Sequence, residues 1–128
     1  MVCVLRIGGV AMNTALVRQA LSLEPYRVDV RGTDGASANC LYYDVITESG
    51  SSHEEVVSRI SKFLSVHKTE LASIVHLEGV EFRNLDIGLM LYEDKASLSF
   101  DLGETLIDKL SELHLSVSIS TYLASSSS

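Results

Sequence analysis

The strongest constraint on the fold is a strict alternation of apolar and small polar residues near the C-terminus. Every second residue from Leu115 to Thr121 is apolar or β-branched, and serines fill positions 116, 118 and 120 between them. Side chains of a strand point alternately to its two faces. The pattern therefore predicts a strand with one buried face and one polar face, in a sheet whose polar side meets water.

The rest of the chain switches repeatedly between the periodicities of strands and helices. Apolar runs or alternations predict strands at 2–7, 26–31, 40–47, 85–92, 96–102 and 115–122. Helical spacing predicts helices before Pro25, from Ser52, at 69–77 and up to Leu113. A strand at 73–77 is the alternative to the third helix. The last two runs before the final helix, 85–92 and 96–102, predict a hairpin.

This order, β-α-β-β-α-(α)-β-β-α-β, predicts the fold class. We expect an α+β fold with ferredoxin-like alternation. Its sheet is expected to be mixed and mostly antiparallel, with helices packed mainly on one face.

Local signals mark where the helices begin. Asn13 or Thr14 is the expected N-cap of the first helix, and Ser52 with Glu55 forms a capping box for the second. The buried stripes of the first and last helices are expected to include Leu16 and Ile107, respectively. The Gly8–Gly9 pair predicts a turn that needs positive φ angles.

Length and composition favour one domain over residues 1–124, followed by a disordered serine tail at 125–128. Arg6 interrupts the apolar N-terminal run, so we expect no signal peptide, and no run is long enough to span a membrane. We therefore expect a cytoplasmic protein. Cys3 and Cys40 lie in apolar runs and are expected to be buried free thiols, with a single disulfide as the alternative.

The net charge of −7 arises wholly in the second part of the chain. Residues 1–47 carry four acids and four bases, whereas residues 78–112 carry nine acids and three bases. A negative field of this kind disfavours nucleic acid and anionic membranes and attracts a basic partner.

Motifs of catalysis, metal binding or cofactor binding are not recognised in the sequence. Gly8–Gly9 lacks the further glycines and the lysine of phosphate-binding loops, and the four histidines lack metal-site spacing. The acids at 101, 104 and 108 fit an exposed helix face better than a catalytic carboxylate pair. We therefore expect no enzyme, with no catalytic residue, metal ligand or cofactor-binding residue.

Several short motifs occur in a characteristic order: the opening Leu5-Arg-Ile-Gly-Gly9, the segment Ala20-Leu-Ser-Leu-Glu-Pro25, Arg31-Gly32, Tyr42-Tyr43 and the alternating segment 115–122. Over about residues 3–122 the chain resembles a widespread bacterial domain of unknown function among immunity-protein-like families. The family tends to have Trp at one of the two tyrosines and Lys-Gly in place of Arg31-Gly32. The resemblance implies a similar fold and a bacterial origin, and it carries over no catalytic residue.

Two functional hypotheses follow. The first is a partner-binding protein, such as an immunity-type inhibitor of a basic toxin, that acts as a monomer or homodimer. Its expected contact residues are acidic: Asp86, Glu93, Asp94, Asp101 and Glu104. The alternative is a small-molecule sensing or regulatory module, because the β-Gly-Gly-α opening is similar to that of amino-acid-binding regulatory domains.

Overall fold

A mixed sheet forms one layer of the fold and helices form the other. The computed structural model describes residues 2–47, 52–92 and 100–124, without the side chains at 91, 92, 123 and 124. Its elements are β1 (Val2–Gly9), α1 (Thr14–Ala20), β2 (Arg27–Asp29), β3 (Asn39–Ile46), α2 (His53–Val66), α3 (Lys68–Ile74), β4 (Phe82–Tyr92), α4 (Glu104–Glu112) and β5 (Ser116–Ala124).

The sheet has the strand order β2-β3-β1-β4-β5. Its first three pairings are antiparallel, and β4 pairs with β5 in parallel. Parallel neighbours need a crossover connection, and the segment between β4 and β5 includes α4. The predicted α+β class with a mixed, mostly antiparallel sheet is confirmed.

The core lies between the sheet and the helices. Leu5 of the central strand β1 is opposite Tyr43 of β3 and Leu85 of β4, and all three side chains are almost wholly buried. Val17 of α1 and Ile60 of α2 belong to the same buried cluster. Burial of a large apolar side chain contributes about 1.5–3 kcal/mol, so this one-sided core is the main source of stability.

Both expected N-caps form. The Asn13 side chain accepts hydrogen bonds from the backbone N–H groups of Ala15 and Leu16, and Ser52 accepts one from Glu55. These contacts satisfy backbone donors that the first turn of a helix leaves without partners. The caps follow from local sequence, which is why they could be predicted without the tertiary structure.

Two residues of the predicted helix stripes are exposed instead. Leu16 and Ile107 expose 46% and 52% of their surface. Successive residues of a helix are 100° apart, and the buried positions are Val17 in α1 and Leu106 with Leu110 in α4. Leu16 and Ile107 are each next in sequence to a buried residue, so their side chains point away from the buried stripe and from the sheet.

The predicted helix at 69–77 forms over Lys68–Ile74 as α3, residues 75–77 are a turn, and the alternative strand at 73–77 is not formed. The predicted hairpin of 85–92 with 96–102 is not seen in the described part. Residues 100–102 belong to no strand, and 96–99 lie outside the described residues, as does the predicted tail at 125–128. β4 instead pairs with β1 on one side and β5 on the other.

The expected role of Gly8–Gly9 is wrong. Both glycines lie in β1, and neither has a positive φ angle. A Cβ atom at Gly9 would collide with the backbone oxygen of Gly79, and one at Gly8 would collide with the Phe82 ring. The pair is therefore required by close packing. Gly79 does have a positive φ, +85°, and a Cβ atom added to it would lie only 2.5 Å from the backbone oxygen of Ala11.

Replacing Gly9 by Ala should lower the free energy of unfolding by about 1–3 kcal/mol, because the new methyl group forces the backbone at Gly79 to move. Val10→Ala, at an exposed neighbouring position, should change it by less than about 0.5 kcal/mol. Urea denaturation of the two variants and the wild type measures the difference. Equal stability of Gly9→Ala and wild type would contradict the packing role.

A polar contact joins the end of α1 to α3. The backbone N–H and hydroxyl of Ser22 donate to the Glu70 carboxylate at 2.8 and 2.7 Å. The Nδ1 atom of His67 lies 3.9 Å from the same carboxylate. The Ser22 backbone bond is the main reason why the pKa of Glu70 is lowered from 4.5.

Glu70→Gln should lower the thermal unfolding midpoint near neutral pH. A carboxyl group whose pKa is lowered on folding stabilises the protein above its unfolded pKa, and this contribution is lost as the pH falls through the folded pKa. The difference in unfolding midpoint between wild type and Glu70→Gln should therefore be largest above pH 4.5 and should shrink as the pH falls below that value. Thermal melts followed by circular dichroism over this pH range measure this difference. Glu78→Gln, at an exposed position, is the control. A difference that stays constant with pH would contradict this assignment.

Candidate functional site

The described members of the predicted acidic contact set lie on two layers of the fold. Asp86 is on β4, facing away from the helices, and accepts a hydrogen bond from the Ser120 hydroxyl at 3.0 Å. Asp101 and Glu104 flank the start of α4, in the helix layer. Glu93 and Asp94 lie outside the described residues. The structure thus brings Asp101 and Glu104 together and leaves Asp86 apart from them.

Asp101 and Glu104 line a cleft of about 780 Å³ between α2 and the first turns of α4, which we call the α2–α4 cleft. Glu54, from the first turn of α2, lies on the same cleft. These three carboxylates are exposed, whereas the apolar lining residues Val57 and Leu102 are half-buried. The cleft therefore combines acidic groups that water reaches with apolar surface.

Two lysines line the same cleft, and one of them is engaged by α2. The Lys109 ammonium donates to the hydroxyls of Ser61 and Ser65, each at 2.8 Å. These bonds join α4 to α2 and direct the charge towards α2. Lys62 is the second lysine, so the cleft carries three carboxylates against two ammonium groups.

Two of the acids also stabilise the start of α4. The Oδ1 atom of Asp101 accepts a bond from the backbone N–H of Gly103 at 2.9 Å, and Gly103 has a φ of +76°. Glu104 lies in the first turn, where a negative charge interacts favourably with the helix dipole. The backbone of the segment therefore fixes where these carboxylates stand at the cleft.

The sheet face opposite the helices, which we call the open face, is polar over its centre and exposes Val2, Phe82, Met90 and Tyr122 nearer its ends. Strand register places on it Arg27, Asp29, Tyr42, Asp44, Arg6, Asn84, Asp86, Ser116, Ser118 and Ser120. The polar face predicted from the C-terminal alternation is confirmed. The predicted buried face is confirmed only at Leu115 and Val117, because Ile119 is 47% exposed.

Asn84 is the centre of a hydrogen-bond network on this face, and it is only 7% exposed. Its amide oxygen accepts from the Arg6 Nε and Nη2 atoms at 3.2 and 2.6 Å. Its amide nitrogen donates to the hydroxyls of Ser116 and Ser118 at 3.0 and 3.1 Å. The network joins β1, β4 and β5, and it gives the buried amide the partners that it needs.

A second set of polar side chains surrounds Tyr42. The Tyr42 hydroxyl donates to the Asp29 Oδ2 atom at 2.7 Å, and the Arg27 guanidinium lies 4.7 Å from the ring centre. Arg27 Nε also donates to Asp29 Oδ1 at 3.1 Å. Burial, and then the bond to Asp29, raises the pKa of Tyr42. The same bond lowers the pKa of Asp29, so this carboxyl stays ionised at neutral pH.

The Asn84 network and the polar side chains around Tyr42 meet at a second cleft, of about 300 Å³, which we call the open-face cleft. Its polar lining comes from Arg6, Asp29 and Tyr42, and its remaining wall comes from Cys40, Phe82 and the loop 35–38. This site was not predicted from the sequence. The alternation in β1 carried the signal, because it puts Arg6 on the face opposite Leu5 and Ile7.

Both cysteines are free and buried, as predicted. Burial raises the pKa of Cys3 to about 12, and the nearby Asp86 charge adds to the effect. Burial also raises the pKa of Cys40. Since the thiolate is the nucleophile, neither side chain is activated for covalent chemistry at neutral pH.

Within residues 2–47, 52–92 and 100–124, no group of three or more His, Cys, Asp or Glu side chains is arranged to hold a metal ion. The helices of the same ranges include none that has the length and hydropathy required to cross a membrane.

Comparisons with known proteins found no family model, curated protein or solved structure that matches the chain. The resemblance to a bacterial domain family, and the function that it implies, therefore stay predictions.

Native protein at about pH 8 should react slowly with a thiol reagent at both cysteines, because burial disfavours the thiolate. In denaturant the two thiols should react quickly and completely. Absorbance after addition of a disulfide reagent measures both rates. Rapid labelling of Cys3 in the native protein would contradict its burial in the core.

Proposed function

We propose that the protein is a non-enzymatic partner-binding protein of the immunity-type inhibitor class. In this proposal it takes a basic side chain of its partner into the α2–α4 cleft. One observation supports the proposal above the others: Glu54 of α2, Glu104 of α4 and Asp101 just before α4 line one cleft together with apolar surface.

This combination suits an arginine or lysine of a partner. Such side chains have an apolar stem and a charged head, so the stem can pack on Val57 and Leu102 while the head meets the carboxylates. An arginine can also bind a carboxylate through two parallel hydrogen bonds. The cleft thus offers a contact to each part of a basic side chain.

The overall charge supports the same kind of partner. A net charge of −7, with the excess of acids in residues 78–112, attracts a basic protein and speeds its association at low salt. Toxins that act on nucleic acid are often basic because they bind phosphate. The proposal assigns no partner contact to Asp86, which is on the other layer and bonded to Ser120.

Charge reversal at the cleft should abolish capture of the partner. We would immobilise wild type, the double variant Asp101→Lys/Glu104→Lys and the single variant Glu54→Lys. Each is exposed to a bacterial lysate and culture medium and eluted with rising salt. Mass spectrometry should find a basic protein that wild type retains and both cleft variants lose, since each reversal replaces attraction by repulsion.

The matched control is Glu78→Lys, an exposed glutamate that does not line the cleft. This variant should retain the partner almost as well as wild type. Glu54→Lys leaves the Asp101–Gly103 contact intact, so it separates loss of binding from damage to the start of α4. A partner retained equally by all four proteins would refute the cleft as the binding site.

A further inference from the structure

We propose that the open-face cleft binds a small zwitterion of the α-amino-acid class. The Arg6 guanidinium would take the ligand's carboxylate, and the Asp29 carboxylate would take its ammonium group. This site lies on the sheet face opposite the α2–α4 cleft and does not depend on the function proposed above.

Arg6 has N–H donors that bond to no group among the described residues. A guanidinium has five N–H donors, and here Nε and Nη2 bond to one acceptor, the neutral amide oxygen of Asn84. Among the described residues, no carboxylate is within ion-pair distance of Arg6. The bonds to Asn84 also fix the direction of the guanidinium, so a ligand carboxylate meets a group that is already oriented.

Asp29 supplies the opposite charge on the same cleft. Its oxygens accept one bond from Tyr42 and two from Arg27, and an ionised carboxylate has about four acceptor positions. A further donor from a ligand can therefore be accepted. Because Arg27 already pairs with Asp29, the ammonium contact should contribute less than the carboxylate contact at Arg6.

The surrounding charges select against simple anions. Val4 is two residues before Arg6 in β1, so both lie on the open face. Asp44 of β3 and Asp86 of β4 are the register partners of Val4 and therefore lie near Arg6. Their field opposes a ligand with net negative charge, such as phosphate, and penalises a neutral zwitterion much less. This is the physical reason to prefer an amino acid over an inorganic anion.

The remaining wall of the cleft is made of small residues and one aromatic ring. Ala36, Ala38 and Phe82 line the cleft, and Phe82 is 39% exposed. A volume of about 300 Å³ accommodates one amino acid with an aliphatic side chain. Leucine is therefore a suitable probe.

The experiment compares leucine with molecules that lack one of its charges. Isothermal titration would use leucine, 4-methylpentanoate, 3-methylbutylamine and inorganic phosphate, each up to ~10 mM. Wild type should bind leucine saturably and each single-charge analogue more weakly, with no response to phosphate. Absence of a saturable leucine signal, equal binding of leucine and 4-methylpentanoate, or binding of phosphate would overturn the proposal.

Variants test the two assigned contacts. Arg6→Met should weaken leucine binding by about tenfold or more, since it removes a charged hydrogen-bonding group. Asp29→Asn should abolish the preference for leucine over 4-methylpentanoate. Arg31→Met, at an exposed position outside the cleft lining, should bind leucine like wild type. Unchanged leucine binding in Arg6→Met would refute the site. If Arg6→Met does not fold, Asp29→Asn is the test, and a retained preference for leucine over 4-methylpentanoate would refute the site.

Discussion

The structure depends on burial of one face of the central strand β1. Leu5 lies between Tyr43 and Leu85 in register, and the helices cover this row. Two further strands and the helices are positioned by their contacts to this apolar layer. The tight approach of Gly9 to Gly79 belongs to the same arrangement, because the turn before β4 must pass close to the end of β1.

One-sided burial leaves the other sheet face to polar groups, and this face has its own order. Asn84 connects Arg6 to the serines of β5, while Asp29 connects Tyr42 to Arg27. A nearly buried polar group costs free energy unless it is hydrogen-bonded, so these contacts are needed to satisfy the polar groups. The same contacts fix the directions of the side chains. The two clefts lie on opposite layers for this reason, one between helices and one on the bare sheet.

Features that depend on adjacent residues could be predicted, and features that depend on distant ones could not. Caps at Asn13 and Ser52 use partners two or three residues away. The exposed Leu16 shows the limit, since its periodicity fits a buried stripe but the sheet covers only the neighbouring stripe. Gly9 shows another: its sequence context suggested a turn, whereas its contact is 70 residues away.

The sequence by itself determined the type of most strands and helices, the polar serine face and the excess of acids from residue 78 onward. These properties are fixed by residue type and local spacing. Only the tertiary structure decided that Asp86 is separated from Asp101, and that Arg6 and Asp29 share a cleft. Such groupings depend on strand order and register, which are set by packing of the whole core rather than by any short segment.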